Sequence, residues 1–371
     1  MPTKYVKSKR EATQLERRLF IEFEQGYRLN DGKLDFVTSF EKFVESKRIT
    51  ISPVTFNNWK YSLKVFSKYF QGKKIGELNT NCINQFAHQF ITDNPRAGVS
   101  SKSSLATRLN HLRCYFDSLV GTVVKTNPVP KNALKQFFRT SDFNIGQSQY
   151  VFTDDDLKRI KLQIISDFQS LHISRWGTRL AILIAMETGM RPGEIQALTF
   201  KDLIEVDGRK LFRIHDSWSD MTGELNGALK SRPQGESRDC LPLSMELVKI
   251  LSRYQLKQLE FLNDHEIDND TGRIFINLGD YRKCAEGRPI SQHSFNDMLH
   301  KICDNLKIDS ECKQLSMYSF RHTVSTKLAN KPGMSYPWAA SKLGNSVAVF
   351  TRTYVKADRD LDNQMMDLWT N

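Results

Sequence analysis

Asp154, Asp155 and Asp156 are three adjacent carboxylates, and grouped carboxylates are the usual means of holding a divalent cation. Neighbouring positions on a helix point in different directions, however, and Thr153 stands directly before the triplet as a good N-cap. The three acids therefore read as the first turn of a helix, where the dipole favours negative charge. The other common engines are missing: there is no G-x-x-x-x-G-K-[ST] loop, no G-x-G-x-x-G, no H-E-x-x-H and no nucleophile elbow. Cys82, Cys114, Cys240, Cys284, Cys303 and Cys312 lie far apart, with no C-x-x-C and no paired histidine spacing, which argues against a disulfide framework and against zinc. The expectation is a chain without metal, nucleotide or other cofactor.

The chain has 371 residues, enough for two or three domains. Hydrophobic residues are 39% and charged residues 26%, with no apolar run near the roughly 18 residues of a membrane span and no apolar segment behind the basic N-terminus. A cytoplasmic protein with no membrane partner is expected. The net charge is +12, and it is unevenly placed. Residues 1–33 carry +3, residues 34–151 carry +9 and residues 152–371 balance to zero. Positive charge concentrated in one segment is the footprint of a nucleic-acid binder, because phosphate neutralisation supplies most of that affinity. An enzyme of nucleic acid without metal or nucleotide sites needs arginines for the phosphate and a side-chain nucleophile.

The elements that must position such groups follow from periodicity and punctuation. A short basic segment, 1–33, contains a helix from about Glu11 to Phe23. A helical unit then spans 34–138. Phe36, Phe40, Phe43 and Val44 share a face, Ser52-Pro53 caps the helix carrying Phe56, Trp59, Leu63, Phe66 and Phe70, and Thr80 opens the next. A fourth helix, about Ser100 to Leu119, has Leu105, Leu109, Leu112 and Phe116 on one stripe and Ser103, Thr107 and Asn110 opposite. Lys102, Arg108 and Arg113 flank the boundary and are the expected DNA contacts. A polar linker, 139–150, precedes a second domain at 151–371. There a helical hairpin from Arg175 to Leu198 breaks at Gly189 and restarts near Pro192, and period-two stretches at Lys210–His215 and Ser237–Leu243 predict a small antiparallel sheet. The fold class is thus mostly α with a small sheet: an all-α N-terminal domain plus an α+β domain.

Three segments of the second domain carry a resemblance. Glu187-Thr-Gly-Met-Arg-Pro-Gly-Glu-Ile-Gln-Ala-Leu198, Leu315-Ser-Met-Tyr-Ser-Phe-Arg-His-Thr323, and Leu343-Gly-Asn-Ser346 followed by Thr353-Tyr354 resemble, in order, the three boxes of the tyrosine recombinases, the phage integrase family. Asn345 stands nine positions before Tyr354, the family's interval between third-box residue and nucleophile. The resemblance covers about residues 34 to 371. It implies a core-type DNA-binding domain and a catalytic domain closing as a clamp on duplex DNA. It also implies Arg191 and Arg321 as the pair that grips the scissile phosphate, Tyr354 as the nucleophile and Lys230, on a turn before the second predicted strand, as general acid, with Lys210 as fallback. Glu194, one turn after Arg191, could orient it, and His322 could support Arg321. Two positions depart from the commonest pattern. Tyr318 stands where histidine usually begins the second box, and Asn345 replaces histidine or tryptophan in the third; both still hydrogen-bond.

The function so implied is site-specific recombination or integration of DNA through a 3'-phosphotyrosine, by a homo-tetramer that passes through a Holliday junction. The partners would be double-stranded recombination sites and an accessory DNA-bending protein, in a prokaryotic cell carrying a phage or other mobile element. The alternative is a DNA-binding accessory or regulatory protein with a degenerate recombinase site; a monomeric relaxing topoisomerase of the same chemistry is a third reading. Beyond Tyr354, Leu361, Met365, Leu368 and Trp369 recur at helical spacing, an apolar stripe expected to pack on its own domain or on a neighbouring protomer.

Overall fold

The structure, a computed structural model, describes residues 8–24, 31–143, 148–230, 232–310 and 313–355. The chain divides into two units, Met1–Gly146 and Gln147–Asn371. The described part is mostly helical with a small antiparallel sheet, as the periodicity predicts.

Unit 1 holds α1 (Lys9–Glu24), α2 (Phe36–Lys47), α3 (Pro53–Phe70), α4 (Thr80–Asp93), α5 (Ser104–Asp117) and the short α6 (Ala133–Phe137). The caps explain the starts. Ser52 accepts from Thr55 N with Pro53 in the first turn of α3, and Ser103 accepts from Ala106 N, so α5 begins at Ser104 rather than near Ser100. The interior is an aromatic cluster: Phe36 lies within 5.3–6.2 Å of the rings of Phe40, Phe66, Phe70, Tyr115 and Phe116. Each such ring, fully buried, stabilises the unit by about 1.5–3 kcal/mol relative to exposure. Thr140–Asp142 form a 3-10 turn and Phe143 packs against the unit 1 core; at the other end of the 139–150 interval Tyr150 is buried and its hydroxyl donates to Asp156 at 2.9 Å.

Unit 2 comprises α7 (Asp154–Ser170), α8 (Trp176–Thr188), α9 (Pro192–Ala197), α10 (Met245–Asp264), α11 (Tyr281–Ala285), α12 (Gln292–Asn305), α13 (Met317–Ala329), α14 (Tyr336–Leu343) and α15 (Val347–Tyr354). The central α8 is apolar on nearly every side, with Leu180 to Ala185 all buried, because α7, α10, α12 and α13 surround it. Asp154–Asp156 occupy the first turn of α7. Asp156 takes the N–H of Thr153 at 3.0 Å in a capping box, Asp154 pairs with Lys327, and Asp155 faces Arg159 at 3.9 Å.

The sheet is larger than its sequence signals suggest. β1 (Leu203–Val206), to which the periodicity assigns nothing, pairs with β2 (Arg209–Ile214) through the two-residue turn Asp207-Gly208, both at positive φ (48° and 72°). Asp-Gly is the favoured pair for such a hairpin and was the available signal. β3 (Trp218–Ser219) and β4 (Glu224–Leu225) form a separate hairpin before the chain returns as β5 (Arg238–Asp239) beside β2. The ladder at β5 is short, since Pro242 has no N–H, but Cys240 N and Leu243 N still donate to Phe212 O and Lys210 O at 2.9 Å.

Candidate active site

Gly189, the left-handed C-cap of α8, places Arg191 directly before α9. A side chain at Gly189 would meet Leu343 and Val324 at 3.1 Å, so the turn requires glycine for both conformation and space. Arg191 is the N-cap of α9 and Pro192 its first residue, while Glu194 closes a capping box by accepting the Arg191 N–H at 2.9 Å. The same carboxylate takes Arg191 Nη1 at 2.8 Å. The helix start therefore aims the guanidinium.

The second arginine comes from α13. Arg321 is 4% exposed and donates to Gly189 O at 3.0 Å and Leu343 O at 2.5 Å. The third segment is the tight turn between α14 and α15. Gly344 is left-handed, Asn345 N bonds Ala340 O at 2.9 Å, and Ser346 caps α15. Asn345 Oδ1 accepts from Arg321 Nη2 at 2.8 Å and Arg191 Nη2 at 3.3 Å. The amide must be oriented this way, because both partners can only donate. Its Nδ2 is buried without a hydrogen-bond partner.

A residue with no assigned role completes the cluster. Arg238, on β5 and 6% exposed, donates from Nη2 to Glu194 Oε2 at 2.6 Å and from Nη1 to Lys342 O at 2.5 Å. The last carbonyls of α14 are thus each taken by a different arginine: Lys342 by Arg238, Leu343 by Arg321 and Gly344 by Arg191, the last at 2.9 Å. A helix C-terminus leaves such oxygens unpaired and partially negative, which suits cations. The signal for Arg238 in the sequence was its place on the buried phase of a strand, two residues before buried Cys240.

Two guanidiniums, Arg191 and Arg238, pair with one carboxylate here, Glu194, which is 2% exposed, and the charge of Arg321 also bears on it. Burial alone would raise the Glu194 carboxyl, but Arg238, then Arg191 and Arg321, hold it below the ordinary range. Burial, with Arg191 adding repulsion, brings Arg321 down to about 10, still a cation at neutral pH. The excess of positive charge and the convergence of fork-shaped donors make this a place where a phosphate oxygen would be stabilised.

Tyr354, at the end of α15, is 8% exposed and packs between His322 (ring centroids 5.3 Å) and Phe350 (5.6 Å). Its phenol is near enough to act on the charge of Arg321. Tyr318 sits one turn before Arg321 on α13 and is 43% exposed. Lys230 is exposed on the turn between β4 and β5, and among the described residues no hydrogen bond or ion pair ties it to the arginines. The fallback, Lys210, is paired with Glu205 across the β1–β2 hairpin at 2.9 Å.

In unit 1, Lys102 is exposed in the turn before α5. Arg113 is half-buried, donates to Val129 O at 2.6 Å and lines a groove with Asn110, Lys131 and Lys135. Arg108 is corrected: it is 3% exposed, donates to Asn58 O at 3.1 Å and to the Asn58 side chain, and lies over the Tyr61 ring. Its place at the edge of the α5 stripe let it turn inward, so it does not flank a phosphate face. The 361–369 stripe lies outside the described residues.

Residues 150–360 match the family model described as the phage integrase family. The chain is 22% identical to the ICEBs1 integrase of Bacillus subtilis (strain 168), over 97% of this chain and 90% of that one. It is also 22% identical to transposase A from transposon Tn554 of Staphylococcus aureus, covering 91% and 92%. Among solved structures, the Tn1549 transposon integrase in complex with transposon right end DNA superposes with a TM-score of 0.66 at 16% identity, covering 91% of this chain and all of that one. The XerH site-specific recombinase bound to difH substrate gives 0.60 at 16% identity, with 100% of this chain covered and 99% of that one. The chain belongs to the phage integrase family, the tyrosine recombinases. Site-specific recombination is the activity that membership supports at the level of the family, and its described helices include none long and apolar enough to cross a membrane.

Proposed function

We propose that this protein is a site-specific DNA recombinase that cuts and rejoins DNA through a 3'-phosphotyrosine on Tyr354, without metal or ATP. The observation that carries the reading is the meeting of Arg191, Arg321 and Asn345, from three distant stretches, around one amide oxygen, with Tyr354 near enough to act on the charge of Arg321. In the reaction, the scissile phosphate displaces that oxygen from the two guanidiniums, and the arginines neutralise the charge that builds in the pentacoordinate transition state. The Tyr354 phenol gives up its proton to solvent as its oxygen bonds to phosphorus. The bond to the 5'-oxygen breaks, and Lys230, carried in on its exposed turn, supplies the proton to that leaving oxygen. The phosphotyrosine conserves the energy of the broken bond, so a 5'-hydroxyl attacking it rejoins the strand. Tyr318 and Asn345 supply hydrogen bonds where the commoner family residues would, and His322 supports Arg321 and Tyr354.

The substrate is double-stranded recombination sites, held by the domain at 34–138, with Lys102 and Arg113 on phosphates, and by the domain at 151–371. Strand exchange proceeds through a Holliday junction in a homo-tetramer, with an accessory DNA-bending protein where the element supplies one, in the cytoplasm of a prokaryotic host of a mobile element.

The test uses a nicked site that lets the short strand diffuse away, with EDTA present. Wild-type protein forms a covalent adduct, and Tyr354→Phe loses it while binding as before. Tight binding with no adduct on any nicked site would favour the accessory protein with a degenerate site.

A further inference from the structure

Arg238 does not belong to the three boxes, yet it is almost as deeply buried as Arg321, 6% exposed against 4%. Its guanidinium joins the Glu194 carboxylate to the Lys342 carbonyl, a second bridge beside the one Arg191 makes from Glu194 Oε1 to the Gly344 carbonyl. Its stem lies flat against Gly344, where an added Cβ would meet Arg238 Nε at 2.6 Å and Cδ at 3.2 Å, so the close approach needs both the glycine and the arginine. Glu194 is the group that aims Arg191, and the 342–345 turn is the group that carries Asn345 and presents two further carbonyls to Arg191 and Arg321. Among the described residues no other cation reaches Glu194 Oε2 at hydrogen-bond distance, and the backbone N–H of Arg191 shares that oxygen. Arg238 also ends the segment that bears Lys230, since β5 begins with it and pairs with β2 at Ile214.

We propose that Arg238 is a positioning residue for phosphate cleavage, locking Glu194 and the 342–345 turn together so that the Arg191 and Arg321 forks converge on one point. This rests on the reading of Arg191, Arg321 and Tyr354 given above. A lysine here would keep the charge but lose the fork that reaches two acceptors at once. The charged groups facing Glu194 are Arg191 before α9, Arg238 on β5 and Arg321 on α13, and Arg238 is the strongest of them in keeping the carboxylate ionised.

The experiment measures the rate of covalent adduct formation on a nicked site at saturating protein, alongside the dissociation constant and the melting temperature, for wild type, Arg238→Gln, Arg238→Lys and Glu194→Gln. Arg238→Gln is expected to slow the saturated rate by about 10²-fold, the order expected of a misplaced reacting group, with the dissociation constant changed by less than about 3-fold. Arg238→Lys recovers part of the rate. The acid limb of the rate profile moves to higher pH in Arg238→Gln and is absent when Glu194→Gln is added. A saturated rate and pH profile equal to wild type in a folded Arg238→Gln, with only the melting temperature lowered, would overturn the proposal. If the glutamine variant does not fold, Arg238→Lys decides: a reduced saturated rate supports the proposal, and a wild-type rate with a wild-type profile overturns it. Wild-type protein that forms no adduct would instead overturn the recombinase reading, and this inference with it.

Discussion

Unit 1 and unit 2 each bury an arginine almost completely, and the two make opposite use of it. Arg108, 3% exposed, gives its fork to Asn58, lies on Tyr61 and stands beside His111, which stacks on Trp59 at 3.6 Å. Among the described residues no second guanidinium shares its acceptors, and its Nε has no partner. Arg321, 4% exposed, shares Asn345 Oδ1 with Arg191 and stands near Arg238, with one carboxylate among the three cations. Burial is therefore a poor guide to function in this molecule. Convergence of like charges on a common acceptor, at the end of a helix, is what sets the proposed phosphate site apart from an interior strut.

The contrast is broken most forcefully at the clamp. Arg191→Ala and Arg321→Ala should each slow adduct formation by on the order of 10³-fold or more, since each removes both charge and preorganised donors. Tyr318→Phe and Asn345→Ala, which remove only neutral hydrogen-bonding groups, should cost about 10²-fold. Single-turnover rates on the nicked site give the ranking, and equal losses for all four would deny the arginines their special place.

Arg108→Ala should act on unit 1 alone. Losing the charged hydrogen bonds to Asn58, whose carbonyl keeps the Ser62 hydroxyl at 3.3 Å, and opening a gap under Tyr61 should cost about 2–3 kcal/mol of stability, seen in denaturant melts. The adduct rate of the folded variant should stay within a few-fold of wild type. A loss comparable with Arg321→Ala would return Arg108 to the DNA-handling residues.

The smallest expected effect is one of pH. Burial, followed by Arg108 and Lys47, lowers His111 to about 4, so folding favours the neutral ring. With an unfolded value of about 6.5, the unfolded chain binds more protons between those limits, and the stability of unit 1 falls as pH drops from about 6.5 through 4. Glu194 is also held low, so its contribution is complete above the ordinary carboxylate pKa of about 4.3 and fades only below it. Melting followed at pH 5.5 should show unit 1 weakened and unit 2 not. His111→Phe should flatten the unit 1 response.

Much of this was legible in the sequence because it is local. Ser52-Pro53, Thr153 with its three acids, and Gly189-to-Pro192 mark helix ends by chemistry within a few residues, and each box is a short run. What escaped depends on partners far along the chain. Arg108 finds Asn58 50 residues away, and Arg238 finds Glu194 at 44 and Lys342 at 104. A helical wheel puts Arg108 on a boundary and leaves its direction open, and alternation puts Arg238 inside a strand without naming what it meets. β1 is the exception, since Asp207-Gly208 was a local signal.

The most direct test of the central claim is to identify the tyrosine that carries the DNA. Tyr318 is exposed and near the arginines in sequence, whereas Tyr354 is nearly buried, so accessibility and box position point to different residues. Mass spectrometry of the proteolysed adduct should find a nucleotide linked through its 3'-phosphate to Tyr354. A nucleotide on Tyr318, or one linked through a 5'-phosphate, would contradict the account.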